Sequence, residues 1–142
     1  MNSQDCRGDI DPALVTYIMR EKKLNIEQMD RLLNKESGLK GISGISNDMR
    51  QLEQSARAGK GKARLALDIF SYRIKKYIGA YTAVMGGCDA LVFTGGIGEN
   101  QKDIREKACS GVFAHFKKQP KVLVIPTNEE LMIARQTHNL IK

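Results

Sequence analysis

The segment at 89–100, DALVFTGGIGEN, constrains the fold more than any other part of the chain. Its apolar stretch at 90–94 predicts a short buried strand, and the glycine-rich turn at 95–98 then opens a helix. Such a turn is where α/β proteins present backbone N–H groups and a positive helix end to a nucleotide or another anion. A second unit of the same order, KVLVIPTNEE, follows at 121–130. Two such units predict a fold that handles nucleotides.

Helical patterns fill most of the remaining sequence. Asp11 and Pro12 predict the start of a first helix, and the capping box begun by Asn25 predicts the next one. A Gly/Ser/Ile loop is expected at 38–46, followed by a helix from Asp48 capped by Ser46 or Asn47. A long helix at 61–85 carries apolar residues every three or four positions, so one face should be buried along its whole length.

The order of strands and helices indicates how the two strands pair. Helices are expected at 99–108 and from Asn128, so each strand is followed by a helix, which favours a parallel arrangement. Two strands make a poor parallel sheet, because such sheets are usually wider and buried on both faces. The chain is therefore expected to be part of a larger α/β architecture, or to need a partner.

Composition excludes several classes of protein. The chain has 142 residues, 42% hydrophobic and 27% charged, and no apolar run long enough to cross a bilayer. An N-terminus without an apolar core argues against a signal peptide, and three widely spaced cysteines suit reduced thiols in the cytoplasm. The net charge of +7 lies along helices rather than in one run, so it indicates solvated helix faces more than a nucleic-acid surface.

Three short segments carry candidate chemistry, each with a simpler structural interpretation beside it. The 95–100 loop is neither a dinucleotide fingerprint nor a Walker loop; its glycines would let the backbone approach a base or phosphate, or would form only a tight turn. Asp48 and Arg50 are typical of a ribose acceptor and a phosphate donor, but equally of a helix cap with an exposed charge. Glu129 is placed to reach a nucleotide-bound Mg²⁺, or only to complement the helix dipole.

Several motifs together resemble one family. They are GDIDP at 8–12, SG at 37–38, GISGISNDMR at 41–50, FTGGIGEN at 93–100 and VIPTNEEL at 124–131. Their order and spacing are similar to those of acetate kinases, and the helix at 66–81 also resembles that family. The resemblance extends over nearly all of 8–137 and concerns the C-terminal part of such a kinase.

The resemblance implies a fold, an activity and a set of residue roles. The fold would be an incomplete C-terminal lobe of the ribonuclease H-like, actin-like ATPase type, helix-rich with few parallel strands. The family transfers the γ-phosphoryl group of ATP to acetate, with Mg²⁺, and forms acetyl phosphate and ADP. The implied roles are a nucleoside and phosphate contact by Asp48, Met49 and Arg50, an adenosine contact by Gly96, Ile97, Gly98, Glu99 and Asn100, and Mg²⁺ placement by Glu129.

The chain also departs from the family pattern. The family's N-terminal catalytic lobe has no counterpart, residues 1–7 look unrelated, and the sequence is shortened around 113–120. Arg7 lies one position late for the family's charge-neutralising arginine. We therefore expect a truncated domain at 8–142 that retains the adenosine side of the site but is inactive alone. Alternatives are a non-catalytic nucleotide-binding module, or a dimerisation module that pairs with itself or with another kinase chain; no nucleic-acid or membrane partner is expected.

Overall fold

The structure is a computed structural model, and it describes residues 9–141. Helices account for most of these residues, and a π-helical turn, Leu32–Glu36, extends the second helix. The elements in chain order are α1 (Pro12–Lys22), α2 (Ile26–Arg31), α3 (Gly38–Ser43), α4 (Met49–Arg57), α5 (Gly61–Val84), β1 (Ala90–Phe93), α6 (Gly95–Asn100), α7 (Lys102–Cys109), β2 (Lys121–Val124) and α8 (Glu129–Leu140). The chain divides into two compact units, Met1–Ala66 and Leu67–Lys142, and the division falls within α5.

Local capping signals determine where the first helices begin, as the sequence predicts. The Asp11 side chain accepts from the backbone N–H of Ala13, and Pro12 occupies the first helical position. Asn25 and Gln28 exchange both bonds of a capping box. Each of these side chains satisfies N–H groups that have no partner inside the helix.

The predicted loop at 38–46 is wrong, because its first part forms α3. The side chain of Asn47 stabilises this short helix. Its Oδ1 accepts from the Lys40 backbone N–H, and its Nδ2 donates to the Lys35 backbone carbonyl oxygen. Gly44 ends the helix with a positive φ of 69°. The cap of α4 is also one residue later than predicted, since Asp48 itself is the N-cap and Met49 begins the helix.

The long helix α5 is confirmed within a residue at its C-terminal end, but its predicted continuous buried face is not. Ala63 and Leu67 are buried, whereas Tyr81 and Met85 are 62% and 64% exposed. These two residues line an apolar groove of about 330 Å³ together with Leu91 of β1. The apolar stripe is therefore only partly covered within residues 67–141.

The two strands pair in parallel, as predicted, with Ala90 opposite Lys121 and Phe93 opposite Val124. The prediction that β1 is buried is wrong, since its residues alternate between exposed and half-buried. Every residue of β2 is exposed, including Val122 at 49%. With two strands each strand is an edge, and among the described residues β2 is left uncovered while Leu91 and Phe93 of β1 are half-buried.

Buried apolar side chains are few in each unit. Met29, Met49 and Leu52 are buried in the first unit, and Leu52 is completely enclosed. Ile104 and Phe113 are buried in the second. Among residues 9–141, no helix combines the length and apolar character that a membrane span requires.

Candidate functional site

The turns that follow β1 and β2 meet at one polar cavity. Because the strands are parallel and in register, their carboxyl ends lie at the same edge of the sheet, where ligand sites of open α/β sheets are found. The cavity has a volume of about 410 Å³. It is lined by Gly95, Gly96, Glu99, Thr127, Asn128, Glu129 and Glu130.

A single carboxylate oxygen joins the two turns. Oε1 of Glu99 accepts from the backbone nitrogen of Gly95 at 2.9 Å and from that of Thr127 at 2.9 Å. It also accepts from the Thr127 hydroxyl at 3.0 Å. These donors, the Thr127 N–H first, lower the pKa of Glu99, since each of them stabilises the ionised form. The Glu99 carboxylate therefore links, through hydrogen bonds, two segments that are 28 residues apart in the sequence.

The Thr127 hydroxyl uses its full hydrogen-bonding capacity. Its proton goes to Glu99, because an ionised carboxylate can only accept. The oxygen lies 2.8 Å from the Thr94 hydroxyl, which must then be the donor in that pair. The Gly95 N–H also reaches the Thr127 oxygen at 2.9 Å. Thr94 and Thr127 thus fix the end of β1 to the turn after β2.

The structural reason for glycine differs among the three glycine positions of the loop, 95, 96 and 98. Gly95 has a φ of +72°, which other residues rarely adopt. A Cβ on Gly98 would lie 3.3 Å from the Phe93 carbonyl carbon, a tight contact that would require the backbone there to shift by a few tenths of an ångström. A Cβ on Gly96 would meet no atom within 4 Å. Packing within the chain therefore does not account for glycine at 96, the one of the three that is both exposed and cavity-lining.

The loop after β1 is itself helical, which corrects the prediction of one helix at 99–108. Residues 95–100 form α6, Gln101 interrupts the helix, and α7 begins at Lys102. The Arg105 guanidinium donates to the carbonyl oxygens of Gly98 and Glu99, at 2.8 and 2.9 Å, and so satisfies the end of α6. Asn100 turns back and donates to the Gly96 carbonyl oxygen, while Ile97 is 38% exposed.

The charge of the cavity is negative. Asn128 caps α8 by accepting from the Leu131 N–H, and Glu129 and Glu130 occupy the first turn of that helix. With Glu99 they give the lining three carboxylates and no lysine or arginine. Within 9–141 no group of three or more His, Cys, Asp or Glu side chains is placed to hold a metal ion. The lining therefore suits a neutral group rich in donors, or a cation whose other ligands come from elsewhere.

The second predicted segment, Asp48 to Arg50, lies in the first unit. Asp48 is the N-cap of α4 and accepts from the Arg50 backbone N–H at 2.8 Å. Met49 is buried, and the Arg50 guanidinium, 85% exposed, pairs with the Asp48 carboxylate. The helix cap with an exposed charge is thus present. Arg7, the predicted charge-neutralising arginine, lies outside the described residues.

Two residues of the site were not predicted from the sequence. Thr127 was considered only as part of a tight turn, and Arg105 was not singled out. The only sequence signal for either is its place beside the two turns, and Arg105 follows Gly98, the last glycine of the loop, by seven residues. Neither placement identifies the atoms that these side chains contact.

Strand-to-helix turns that meet at the carboxyl edge of a parallel sheet are typical of nucleotide-handling α/β proteins. Comparison with known proteins gives the family: a model of the acetokinase family matches residues 5–119. The chain therefore belongs to the acetokinase family.

Individual relatives agree with this assignment. Acetate kinase of Caldicellulosiruptor saccharolyticus is 46% identical over 157 residues, which is 95% of this chain and 39% of that protein. The crystal structure of Porphyromonas gingivalis acetate kinase superposes with a TM-score of 0.82 at 40% identity, covering 95% of this chain and 39% of that one. A propionate kinase from Francisella tularensis gives 0.78 at 40% identity, covering 89% and 37%.

These matches confirm the predicted fold class, an incomplete C-terminal lobe of the actin-like type, helix-rich with a two-stranded parallel sheet. The chain spans about 39% of the length of the curated relatives it matches. The aligned stretch of 157 residues is longer than the 142-residue chain, so the relative carries residues without counterpart here. That this shortening lies around 113–120, and that the domain starts at residue 8, stay predictions.

Proposed function

We propose that this chain is the adenosine-binding part of an acetate kinase, the phosphotransferase that converts ATP and acetate into ADP and acetyl phosphate. The observation that carries the proposal is the polar cavity at the carboxyl ends of β1 and β2, in a chain of the acetokinase family. The protein would be cytoplasmic, and neither nucleic acid nor a membrane is among its proposed partners.

The lining of the cavity fits the nucleoside better than the phosphates. Gly96 leaves open space where a side chain would project, so a flat base or a ribose could approach its backbone. The carboxylates of Glu129 and Glu130 accept hydrogen bonds, and ribose hydroxyls and the adenine amino group donate them. Bare phosphates would be repelled by the same carboxylates. Gly96, Ile97, Gly98, Glu99 and Asn100 are therefore proposed as the adenosine-holding segment, with Glu99 assigned a special part below.

Magnesium fits the remaining chemistry. Glu129 supplies one carboxylate at the cavity, and Mg²⁺ commonly takes one or two protein carboxylates while phosphate oxygens and water complete its shell. When bound, the ion would neutralise phosphate charge. Asp48, Met49 and Arg50 are proposed as the second nucleotide-contacting segment, in which the exposed Arg50 guanidinium can pair with phosphate oxygens.

Calorimetric titration of Mg·ATP into the purified chain tests the proposal. We expect saturable binding that weakens in Glu129→Gln and when EDTA removes the magnesium. The matched control is Glu106→Gln, which removes an exposed carboxylate of α7 that does not line the cavity. A folded chain that takes up no Mg·ATP at millimolar concentrations would overturn the assignment.

We also propose that these 142 residues alone do not catalyse phosphoryl transfer. Holding the acceptor carboxylate in line with the γ-phosphoryl group is worth several kcal/mol, about 7–11 in well-oriented reactions, and the family's acceptor-binding lobe has no counterpart in this sequence. Acetyl hydroxamate formed from ATP, acetate and hydroxylamine is the readout. Formation well above a no-protein blank would contradict this part of the proposal without affecting nucleotide binding.

The identity of the acid is a separate question, because one similar structure is that of a propionate kinase. The acid is selected by the acceptor pocket and not by the adenosine cavity. We propose acetate, since the curated relatives are acetate kinases. If a complementary chain restores activity, the ratio of kcat/KM for acetate and propionate decides between the two acids.

An assembly module is the second candidate, and the exposed apolar surface of the second unit favours it. Every residue of β2 is exposed, and α8 contains no buried residue, with Met132 and Ile133 at 53% and 63%. Multi-angle light scattering across a concentration series distinguishes a monomer from a pair. Ile133→Lys should weaken a pair formed through α8, whereas Glu130→Lys, a charge change on the same helix, provides the matched control.

A further inference from the structure

We propose that Glu99 is a positioning residue, whose carboxylate clamps the turn after β1 to the turn after β2 and so sets the shape of the nucleotide cavity. Thr127 is the partner through which it acts. The ligand rests on the proposed function above, but the clamp rests on geometry alone. The two can therefore be tested separately.

Two of the three bonds of the clamp cross from one turn to the other, and the third lies within the turn after β1. The Gly95 N–H belongs to the turn after β1, and the N–H and hydroxyl of Thr127 belong to the turn after β2. All three donate to the same oxygen, Oε1 of Glu99, at 2.9 to 3.0 Å. These distances are within the normal range for hydrogen bonds, and the carboxylate makes them charge-assisted.

The same geometry argues against Oε1 as a ligand of the nucleotide. An oxygen that already accepts three protein hydrogens has no remaining direction for a ribose hydroxyl or an adenine amino group. A nucleotide that took this oxygen would have to release Gly95 or Thr127. Oε1 of Glu99 therefore contributes through the residues it holds, and a direct contact with the nucleotide would have to use the other carboxylate oxygen, Oε2.

The held residues are next to the ones that line the cavity. Gly96 directly follows Gly95, and Asn128 directly follows Thr127, so both walls move if the clamp opens. Arg105 fixes the other end of the clamp, since its guanidinium donates to the Glu99 carbonyl oxygen at 2.9 Å. Glu99 is thus anchored at its backbone and at its side chain. Hydrogen bonds of this kind, made to residues beside the ligand-binding ones, hold a binding site in the geometry that its ligand requires.

Substitutions at Thr127 separate the hydroxyl from the shape of the side chain. Thr127→Val keeps the shape and removes the hydroxyl donor to Glu99 while the backbone N–H donor stays, and Thr127→Ser keeps both donors. Glu99→Ala removes the acceptor, and Glu99→Gln retains an acceptor oxygen without its charge. If Glu99 is a clamp, the amide protection and nucleotide affinity that Thr127→Val loses should be retained in Thr127→Ser. In the same measurements Glu99→Gln should be intermediate between the native chain and Glu99→Ala.

Amide hydrogen exchange followed by NMR tests the clamp without any ligand. We expect the Thr127 amide to exchange at least tenfold faster in Glu99→Ala, which removes its acceptor. The Gly95 amide should exchange faster in both Glu99→Ala and Thr127→Val, because each removes one of its two acceptors, and Thr127→Ser should stay close to native. The Leu52 amide in α4 is the internal control and should not change. Unchanged rates at both Gly95 and Thr127 in folded Glu99→Ala would overturn the proposal.

Mg·ATP titration of the same variants tests the consequence for the site. We expect Kd to rise about tenfold in Glu99→Ala and severalfold in Thr127→Val, with Thr127→Ser near the native value at an unchanged thermal midpoint. A native chain that binds no nucleotide would remove the proposed function, and the exchange data would still decide the clamp. Native binding with an equal Kd in all four variants would overturn the positioning role. If Glu99→Ala does not fold, Glu99→Gln and Thr127→Val carry the comparison.

Discussion

The Arg50 guanidinium donates to both oxygens of the Asp48 carboxylate, with Nη2 2.9 Å from Oδ2 and Nε 3.3 Å from Oδ1. The Arg50 backbone N–H also donates to the Asp48 carboxylate, and this hydrogen bond caps the N-terminus of α4. The Arg50 side chain is the main cause that lowers the pKa of Asp48, and Asp48 in turn raises the pKa of Arg50. One carboxylate therefore caps a helix and orients an exposed cation.

Asp48→Ala should weaken Mg·ATP binding about tenfold, because it removes both the acceptor and the partner that orients Arg50. The same substitution removes the cap of α4, so a structural effect has to be separated. Asp48→Asn is the matched variant, since asparagine caps helices as well as aspartate but carries no charge. We expect Asn to keep the native thermal midpoint and to bind nearly as weakly as Ala, measured by calorimetry. Native affinity in Asp48→Ala would show that the pair only caps the helix.

Alanine at Gly96 and at Gly98 should have opposite consequences. The Gly98 Cβ would crowd Phe93, where such overpacking costs about 1–3 kcal/mol. The Gly96 Cβ meets no protein atom, and alanine in a helix is favoured over glycine by up to about 1 kcal/mol. Urea unfolding should therefore show a loss only for Gly98→Ala. Mg·ATP titration should show weaker binding for Gly96→Ala, and unchanged affinity there would mean that the ligand does not approach this backbone.

Leu52 should dominate the stability of the first unit. It is completely buried, and removing a fully enclosed leucine side chain costs about 2–5 kcal/mol. Leu65 is the matched control, since it is 52% exposed and its truncation should cost about 0.5 kcal/mol or less. Urea unfolding monitored by far-UV circular dichroism measures both. Equal losses for the two alanine variants would mean that Leu52 is not the centre of this core.

Capping and stop residues in the sequence predicted several helix ends correctly, because these residues act within one helical turn. The Asp11 and Asn25 caps and the C-terminal end of α5 depend on neighbours a few residues away. The parallel pairing of β1 and β2 followed from the order of strands and helices alone. Motifs in the sequence predicted the 95–100 loop and Glu129 as site residues, and the structure brings Gly96 and Glu129 to the same cavity.

Long-range contacts were not predictable in the same way. The family resemblance implies an adenosine contact for Glu99, and nothing local in the sequence indicates that Thr127, 28 residues later, donates to its carboxylate. The sequence does not predict the exposure of alternate residues in β1, because an apolar strand indicates burial, whereas burial depends on neighbouring layers that cover the strand only in part. The helix α3 was missed because its glycines read as a loop, and Asn47 from outside the helix stabilises it.

The pH dependence of stability should reveal the Glu99 clamp. Hydrogen bonds from Thr127 and Gly95 lower the pKa of Glu99 in the folded chain, so the unfolded state binds the proton more tightly. The stabilisation is therefore complete above the unfolded pKa of about 4.3, and it is lost as pH falls through the lower folded pKa. Glu99→Gln does not titrate. The difference in unfolding free energy between native and Glu99→Gln chains should be constant from pH 6 to 8 and should shrink towards pH 3.

Urea titrations at pH 7, 5, 4 and 3 measure this difference. Glu130→Gln provides the matched control, because it removes a carboxylate from the same cavity but none of the bonds to Gly95 and Thr127. Any pH-dependent change that comes from the cavity charge alone should appear equally in both glutamine variants. A Glu99→Gln profile that parallels the native one down to pH 3 would mean that the Glu99 carboxylate is not held by these donors in solution. A difference confined to Glu99→Gln would identify the ionised Glu99 carboxylate as one of the stabilising links between the two turns.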